Sequence, residues 1–384
     1  MTERLFDNDA YLWAFDAQVL SCVPRNEYFD VILDRTAFFP EGGGQPADQG
    51  TIDQARVLDV HESDGTIHHY TDRSVACGPV HCQLDAARRM DHMQQHSGEH
   101  IFSGLVFQHY GFHNVGFHMG TDAITMDFDG TLTREQAAQI ESEVNEAIWK
   151  NLPVTVFYPS EHEEQNISYR AKKEIDGQLR LVCIEGYDLC ACCGTHVSRT
   201  GEIGQVKIIG MIHYKRGVRI SILCGRRALV YENRMLHDYH QAAHLLSAQE
   251  GSLGQSTQRL IQERDDLLHR MSALGLQIFR MLAQSESGDV RLVSCDSLDG
   301  HQLRPCASEL ADTCQLGMVI VPSANGCRFA LSSRTMDVRP IAQLLKNRFG
   351  GNGGGTADMV QGILTAVDEE TLRQTLQTCL PNAV

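Results

Sequence analysis

The sequence predicts an α+β, multidomain chain, on three observations. Short alternating runs broken by glycine and proline fill the region up to about residue 84. A proline-free helical stretch with further strands follows. A seven-residue leucine repeat then separates that region from a last block of mixed strands and helices. The 384 residues are 42% hydrophobic and 21% charged, ample for more than one core. No run of about 18 apolar residues occurs, so no membrane span is predicted. The acidic start MTERLFDNDAYLWAFD does not read as a signal peptide. Thirteen cysteines, an odd number at irregular spacing, point to reduced thiols in the cytoplasm rather than a disulfide framework.

Residues 1–84 read as a β-rich module, a small barrel. YFDVILDRTAFFP is strand-like, and ARVLDVHESDGTIHHYT holds two extended runs around Asp64 and Gly65, a hairpin signal. Between them lies the loop FFPEGGGQPADQG. Residues 85–228 form the next domain. Residues 86–110 lack proline and predict a helix carrying His92, His96 and His100. Thr133 and Gln136 predict a capping box, and Ile140, Val144 and Ile148 mark the buried stripe of the helix it opens. VTVFYPS, RLVCIEG and GQVKIIGMIHYKRGVRISILCG are predicted strands. Residues 229–285 form a helical linker, broken near SAQEGS, in which Leu253, Leu260, Leu267, Leu274 and Met281 recur every seven residues. Thr257 and Arg264 interrupt that seam, so it suits an intramolecular hairpin at least as well as a dimer. Residues 286–384 form a separate α/β module with strands in VRLVSC, LGMVIVPS and CRFALSS, a helix over 341–349 and a loop GGNGGG. That loop is no P-loop, because no Gly-Lys-Ser/Thr follows it.

Two segments carry metal chemistry. In HSGEH, His96 and His100 stand at i and i+4 and share one helix face. In CCGTH, Cys192 and His196 offer a thiolate and an imidazole four residues apart. The four together make a tetrahedral zinc shell of three nitrogens and one sulfur. Four protein ligands are also what a purely structural zinc takes. HSGEH fits the inverted zinc-peptidase pattern as well, with Glu99 as general base, although that reading needs a further ligand. Net charge is -16, which argues against nucleic acid. Yet residues 204–231 hold six cations, Lys207, Lys215, Arg216, Arg219, Arg226 and Arg227, and no Asp or Glu. Charge alone leaves an RNA contact and a solvated face both open.

Taken together, these residues resemble the editing domain of alanyl-tRNA synthetase and its free-standing relatives, the AlaX alanyl-tRNA editing proteins. The family pattern, HxxxH followed by CxxxH within a CGGTHV-like segment, stands here as HSGEH and CCGTHV, with Cys193 in place of the first glycine. FFPEGGGQPADQG matches the family's glycine motif, and FHMGTDAITMDFDG also fits. FGGNGGGTADMVQG resembles the glycine signature of the DHH-associated domain, DHHA1, at the synthetase C-terminus. The resemblance spans essentially the whole chain and implies the long free-standing form. Residues 85–228 are then the zinc editing domain, and 286–384 a DHHA1-like tRNA-binding module.

What the resemblance implies is a zinc-dependent hydrolase acting in trans. It would cleave the ester of tRNA(Ala) mischarged with serine, and secondarily with glycine. Zn2+ would be held by His96, His100, Cys192 and His196. Thr36, before the glycine loop, matches the family position that recognises the serine hydroxyl. Gly42, Gly43, Gly44 and Gln45 would contact substrate, and Glu99 is a candidate base. Lys215, Arg216, Arg219, Arg226 and Arg227 would hold the acceptor stem, and Arg348 belongs to the second grip on tRNA. A homodimer through the helical or C-terminal region is a further expectation.

Overall fold

The computed structural model describes residues 1–171 and 178–380. The chain divides into two compact units, Met1–Tyr239 and His240–Val384. Among the described residues no helix is long and apolar enough to cross a membrane.

In the first unit, six strands pair in a closed ring. Their order is Ala14–Pro24, Phe29–Leu33, Thr66–Thr71, Ala55–Ser63, Gly50–Ile52 and Gly78–Leu84, and the last pairs back onto the first. Alternation along the strands drives this: in Gly78–Leu84, Val80, Cys82 and Leu84 point inward while the residues between them do not. The inward residues meet Val31, Leu33, Ile52, Val60 and Ile67 in one core. The predicted hairpin forms at Asp64 and Gly65, both with positive φ, 51° and 72°, the geometry of a two-residue hairpin turn.

The glycine loop leaves this ring after Thr36 and is tied to the next element by a buried ion pair. Arg89 is fully buried, and its guanidinium clasps Asp48 while donating to the carbonyls of Ala37 and Ala10. Arg89 lies on the predicted helix, which runs Ala86–Tyr110. Asp85 caps its first turn by accepting the Arg88 N–H, and Gly111 closes it at φ 70°.

The helix is buried from Met93 through Val106 except at Gln94, because sheets pack around it. A four-stranded sheet of Val206–Tyr214, Gly217–Cys224, Ile124–Phe128 and Asn114–Met119 and a three-stranded sheet of Val154–Phe157, Leu181–Ile184 and Asp188–Ala191 both touch it. Two helix glycines are required by that closeness. A Cβ on Gly98 would stand 2.4 Å from Cys224 Sγ, and one on Gly104 would stand 2.2 Å from the Tyr187 carbonyl oxygen. The helix Arg134–Trp149 opens with the predicted capping box of Thr133 and Gln136 and buries Ile140, Val144 and Ile148.

In the second unit a five-stranded sheet runs in the order Val290–Ser294, Leu316–Ser323, Gly326–Ser332, Met359–Leu364, Asn352–Gly355. The last strand corrects an expectation: most of GGNGGG is an edge strand rather than a loop. Glycine has little strand preference of its own, but backbone crowding selects it here, since a Cβ on Gly355 would meet the Met359 carbonyl at 2.0 Å. The helix Leu253–Ser285 buries only Gly275 and Phe279, and its seven-residue stripe of Leu260, Leu267, Leu274 and Met281 is exposed.

Candidate metal centre

The structure brings His96, His100, Cys192 and His196 together. One ligand atom from each lies within 4.8 Å of every other. His96 and His100 come from the buried middle of the Ala86–Tyr110 helix, and the other two from the turn after the Asp188–Ala191 strand. Nε2 of His96 and of His196 each lie 3.4 Å from Cys192 Sγ. That is close to the about 3.5 Å edge of a tetrahedral zinc site with one sulfur.

Each imidazole is held from behind. Nδ1 of His96 faces Gln45 Oε1 at 2.9 Å, Nδ1 of His100 faces Asp188 Oδ2 at 2.9 Å, and Nδ1 of His196 faces Ser97 Oγ at 3.2 Å. With Nδ1 donating outward, each Nε2 lone pair points inward. Nε2 of His100 is buried and has no hydrogen-bond partner among the described residues, an orphan that a metal would satisfy. One thiolate with three neutral imidazoles is a zinc donor set.

The electrostatics favour a thiolate at Cys192 and a positive charge beside it. Burial alone would raise the Cys192 thiol, but the three imidazoles override it and pull it well below its usual value. Burial works against charge on His100 too, yet Cys192 and Asp188 raise it to about 9. His196 is pushed well below its usual value by burial and by the neighbouring histidines. Asp188 is itself buried, and Arg170 closes its far side with contacts of 2.7 and 2.9 Å. Cys190, also near His100, is no ready ligand: burial pushes its thiol up to about 12.

A cavity of about 460 Å³ opens over this cluster. His96, His100 and Cys192 line it, together with Gly42, Gly43 and Gly44, Val115 to Phe117, Arg4, Glu62, Arg180 and Cys193. The Phe117 ring stacks on His96 at 5.3 Å.

Thr36, Gln45 and Glu99 are not brought to the cavity wall. Thr36 is fully buried: its hydroxyl meets His69 Nε2 at 2.8 Å and accepts the Phe38 N–H. Gln45 is fully buried between His96 and Thr195, its Oε1 facing His96 Nδ1 and its Nε2 donating to Thr195 Oγ1. Glu99 is turned into the core, accepting from Ser103 Oγ at 2.6 Å and Asn114 Nδ2 at 2.7 Å. The basic strip is partly neutralised. Lys207 pairs with Glu141, Arg219 with Asp127, and Arg227 with Asp91. Lys215, Arg216 and Arg226 are exposed, as is Arg348 in the second unit. Asp188, Arg170, Arg180 and Arg4 carried no local sequence signal, because tertiary contacts alone assemble them.

Known proteins place this geometry. The domain family described as Threonyl and Alanyl tRNA synthetase second additional domain matches residues 179–221, which include Cys192 and His196. Alanyl-tRNA editing protein AlaX-L of Pyrococcus horikoshii is 26% identical, over 96% of both chains. Alanyl-tRNA editing protein Aarsd1 of Danio rerio is 30% identical, over 92% of both chains. The chain belongs to the alanyl-tRNA editing protein family. This editing protein is also 31% identical to the alanine--tRNA ligase of Halobacterium salinarum, over 86% of the chain and 38% of the ligase.

Proposed function

We propose that this alanyl-tRNA editing protein acts in trans as a zinc-dependent deacylase of mischarged tRNA(Ala), removing serine first and glycine second. The observation that carries the reading is the convergence of three Nε2 atoms and one thiol at the floor of a cavity, each imidazole fixed from behind. Zinc held by His96, His100, Cys192 and His196 would supply a positive field for the developing charge of ester hydrolysis.

The chain's own residues do the rest. Gly43 and Gly44 have φ of 62° and 89° and put bare backbone in the cavity wall, where a side chain would be strained. Phe117 and Val115 give that wall an apolar face. The ester is intrinsically labile, so orientation supplies much of the rate. Selectivity follows from hydrogen bonding: a site that bonds the serine hydroxyl leaves its own polar group unpaired when alanine enters. Lys215, Arg216 and Arg226, exposed in the first unit, and Arg348 in the second are the cations available to tRNA phosphates.

The test is release of serine from Ser-tRNA(Ala), beside alanine from Ala-tRNA(Ala), by the wild-type chain and by Cys192→Ala. Rapid loss of serine but not alanine, abolished in the variant, is expected. If neither ester is cleaved by zinc-loaded protein, the reading fails.

A further inference from the structure

One buried and two half-buried guanidinium groups of this chain are closed by carboxylates. Arg89 is clasped by Asp48, and Arg170 by both oxygens of Asp188. The half-buried Arg227 takes both oxygens of Asp91. Arg180 breaks the pattern. It is only 7% exposed, yet its Nη1 meets neutral partners, the carbonyl oxygens of Cys192 at 2.6 Å and Gly194 at 3.1 Å. Its Nε is buried without a hydrogen-bond partner among the described residues. Among the described residues the carboxylate paired with it is that of Asp7, which stands 3.9 Å from Nε, beyond hydrogen-bond reach.

A desolvated guanidinium with an open donor is costly unless an anion completes it, and its planar fork suits phosphate. Arg180 lines the same cavity as His96, His100 and Cys192, and its hold on the Cys192 and Gly194 carbonyls keeps it beside them. Arg4 lines the cavity too and its Nε likewise has no hydrogen-bond partner among the described residues, but Glu62 at 3.0 Å and Asp7 at 3.5 Å take its charge.

We propose that Arg180 forms an anion subsite in this wall and takes the phosphodiester on the 5′ side of the nucleotide that bears the ester. The proposal rests on the deacylase reading, because that substrate puts a phosphate and an ester on one ribose. The attached amino acid brings an ammonium group, which Arg180 repels, so the phosphate is the substrate's matching anion. The released amino acid carries a carboxylate, and that second source of anion is separated in the test.

The experiment is equilibrium binding to the full zinc-loaded chain, with adenosine, adenosine 5′-monophosphate and serine as probes. The monophosphate is expected to bind about tenfold tighter than adenosine, the scale of one charge-assisted contact. Arg180→Gln should erase that ratio while leaving adenosine binding within about twofold of wild type. Zinc content and the melting curve report whether the variant is intact. Should Arg180→Gln lose zinc, Arg180→Lys, which keeps the charge without the fork, should give an intermediate ratio, and inorganic phosphate should compete with the monophosphate but not with adenosine in wild type. Equal binding of the two nucleosides in wild type, no monophosphate binding at millimolar concentration, or a ratio that survives in folded Arg180→Gln overturns the subsite. Arg180-dependent binding of serine without any nucleotide ratio also overturns it, in favour of the product carboxylate. A chain that cleaves Ser-tRNA(Ala) without the ratio loses this inference alone. One that shows the ratio but cleaves no ester loses the deacylase reading alone.

Discussion

Gln45 Oε1 lies 2.9 Å from Nδ1 of His96, so the end of the glycine loop orients a metal ligand on the central helix. The same amide donates to Thr195 Oγ1 at 2.9 Å, next to His196. Gln45 thus joins the glycine loop, the helix and the cysteine turn at one point.

Gln45→Ala should therefore weaken metal binding before it weakens the fold. Loss of an outer hydrogen bond to a ligating histidine costs about 10–100-fold in affinity. Competition with a chromophoric chelator measures it. Unchanged zinc affinity in Gln45→Ala would mean that the loop contacts the helix without tuning the ligand.

Asp188 serves two partners, the buried imidazole of His100 on one side and the half-buried guanidinium of Arg170 on the other. Asp188→Ala leaves the Arg170 charge uncompensated and should destabilise the first unit by about 3–5 kcal/mol. Asp188→Asn separates the two duties. Its carbonyl can still accept from His100, so zinc affinity should fall less than in Asp188→Ala, while most of the stability loss remains. Denaturant unfolding and chelator competition on the two variants read this directly.

Which parts of the centre were legible follows from the range of the contacts. The two residue pairs are local: i,i+4 on a helix, and four residues across a turn, so their spacing singled them out as candidates. Their supports are not. Gln45 stands 51 residues from His96, and Asp188 stands 88 from His100. The basic strip failed in part for the same reason. Arg219 sits directly across from Asp127 in the sheet, a register no count of charges contains. Thr36 was placed correctly beside the glycine loop, but its hydroxyl turns inward because His69 waits there with an acceptor nitrogen. The capping box at Thr133 and the Asp64-Gly65 turn were readable because each is settled within a few residues.

Gly98, the glycine of HSGEH, is a packing residue. Its missing Cβ makes room for Cys224 Sγ, 2.4 Å from where the atom would stand, and for Val206. Gly98→Ala should cost about 1–3 kcal/mol, the usual scale of overpacking. Adding Cys224→Ala in the same chain should recover part of that loss, and the coupling in a double-mutant cycle measures the clash itself. Strictly additive effects of the two changes would show that the helix and strand simply move apart.

His69 makes the stability of the first unit depend on pH. It is fully buried, and burial pushes its pKa down to about 4. Its Nδ1 faces the Val31 carbonyl and its Nε2 faces the Thr36 hydroxyl, a pattern the neutral ring satisfies without carrying charge into the core. The folded state therefore resists protonation, while the unfolded chain takes up the proton near pH 6.5. The contribution of His69 is full above that pH, declines as pH falls from about 6.5 to about 4, and levels off below, a total loss of about 3 kcal/mol. The chain has 18 histidines, so wild type is compared with His69→Gln to isolate this one. The variant starts less stable at pH 7.5, and its deficit should shrink steadily towards pH 4.5. A deficit that stays constant across that range would place the proton on His69 in the folded chain as well.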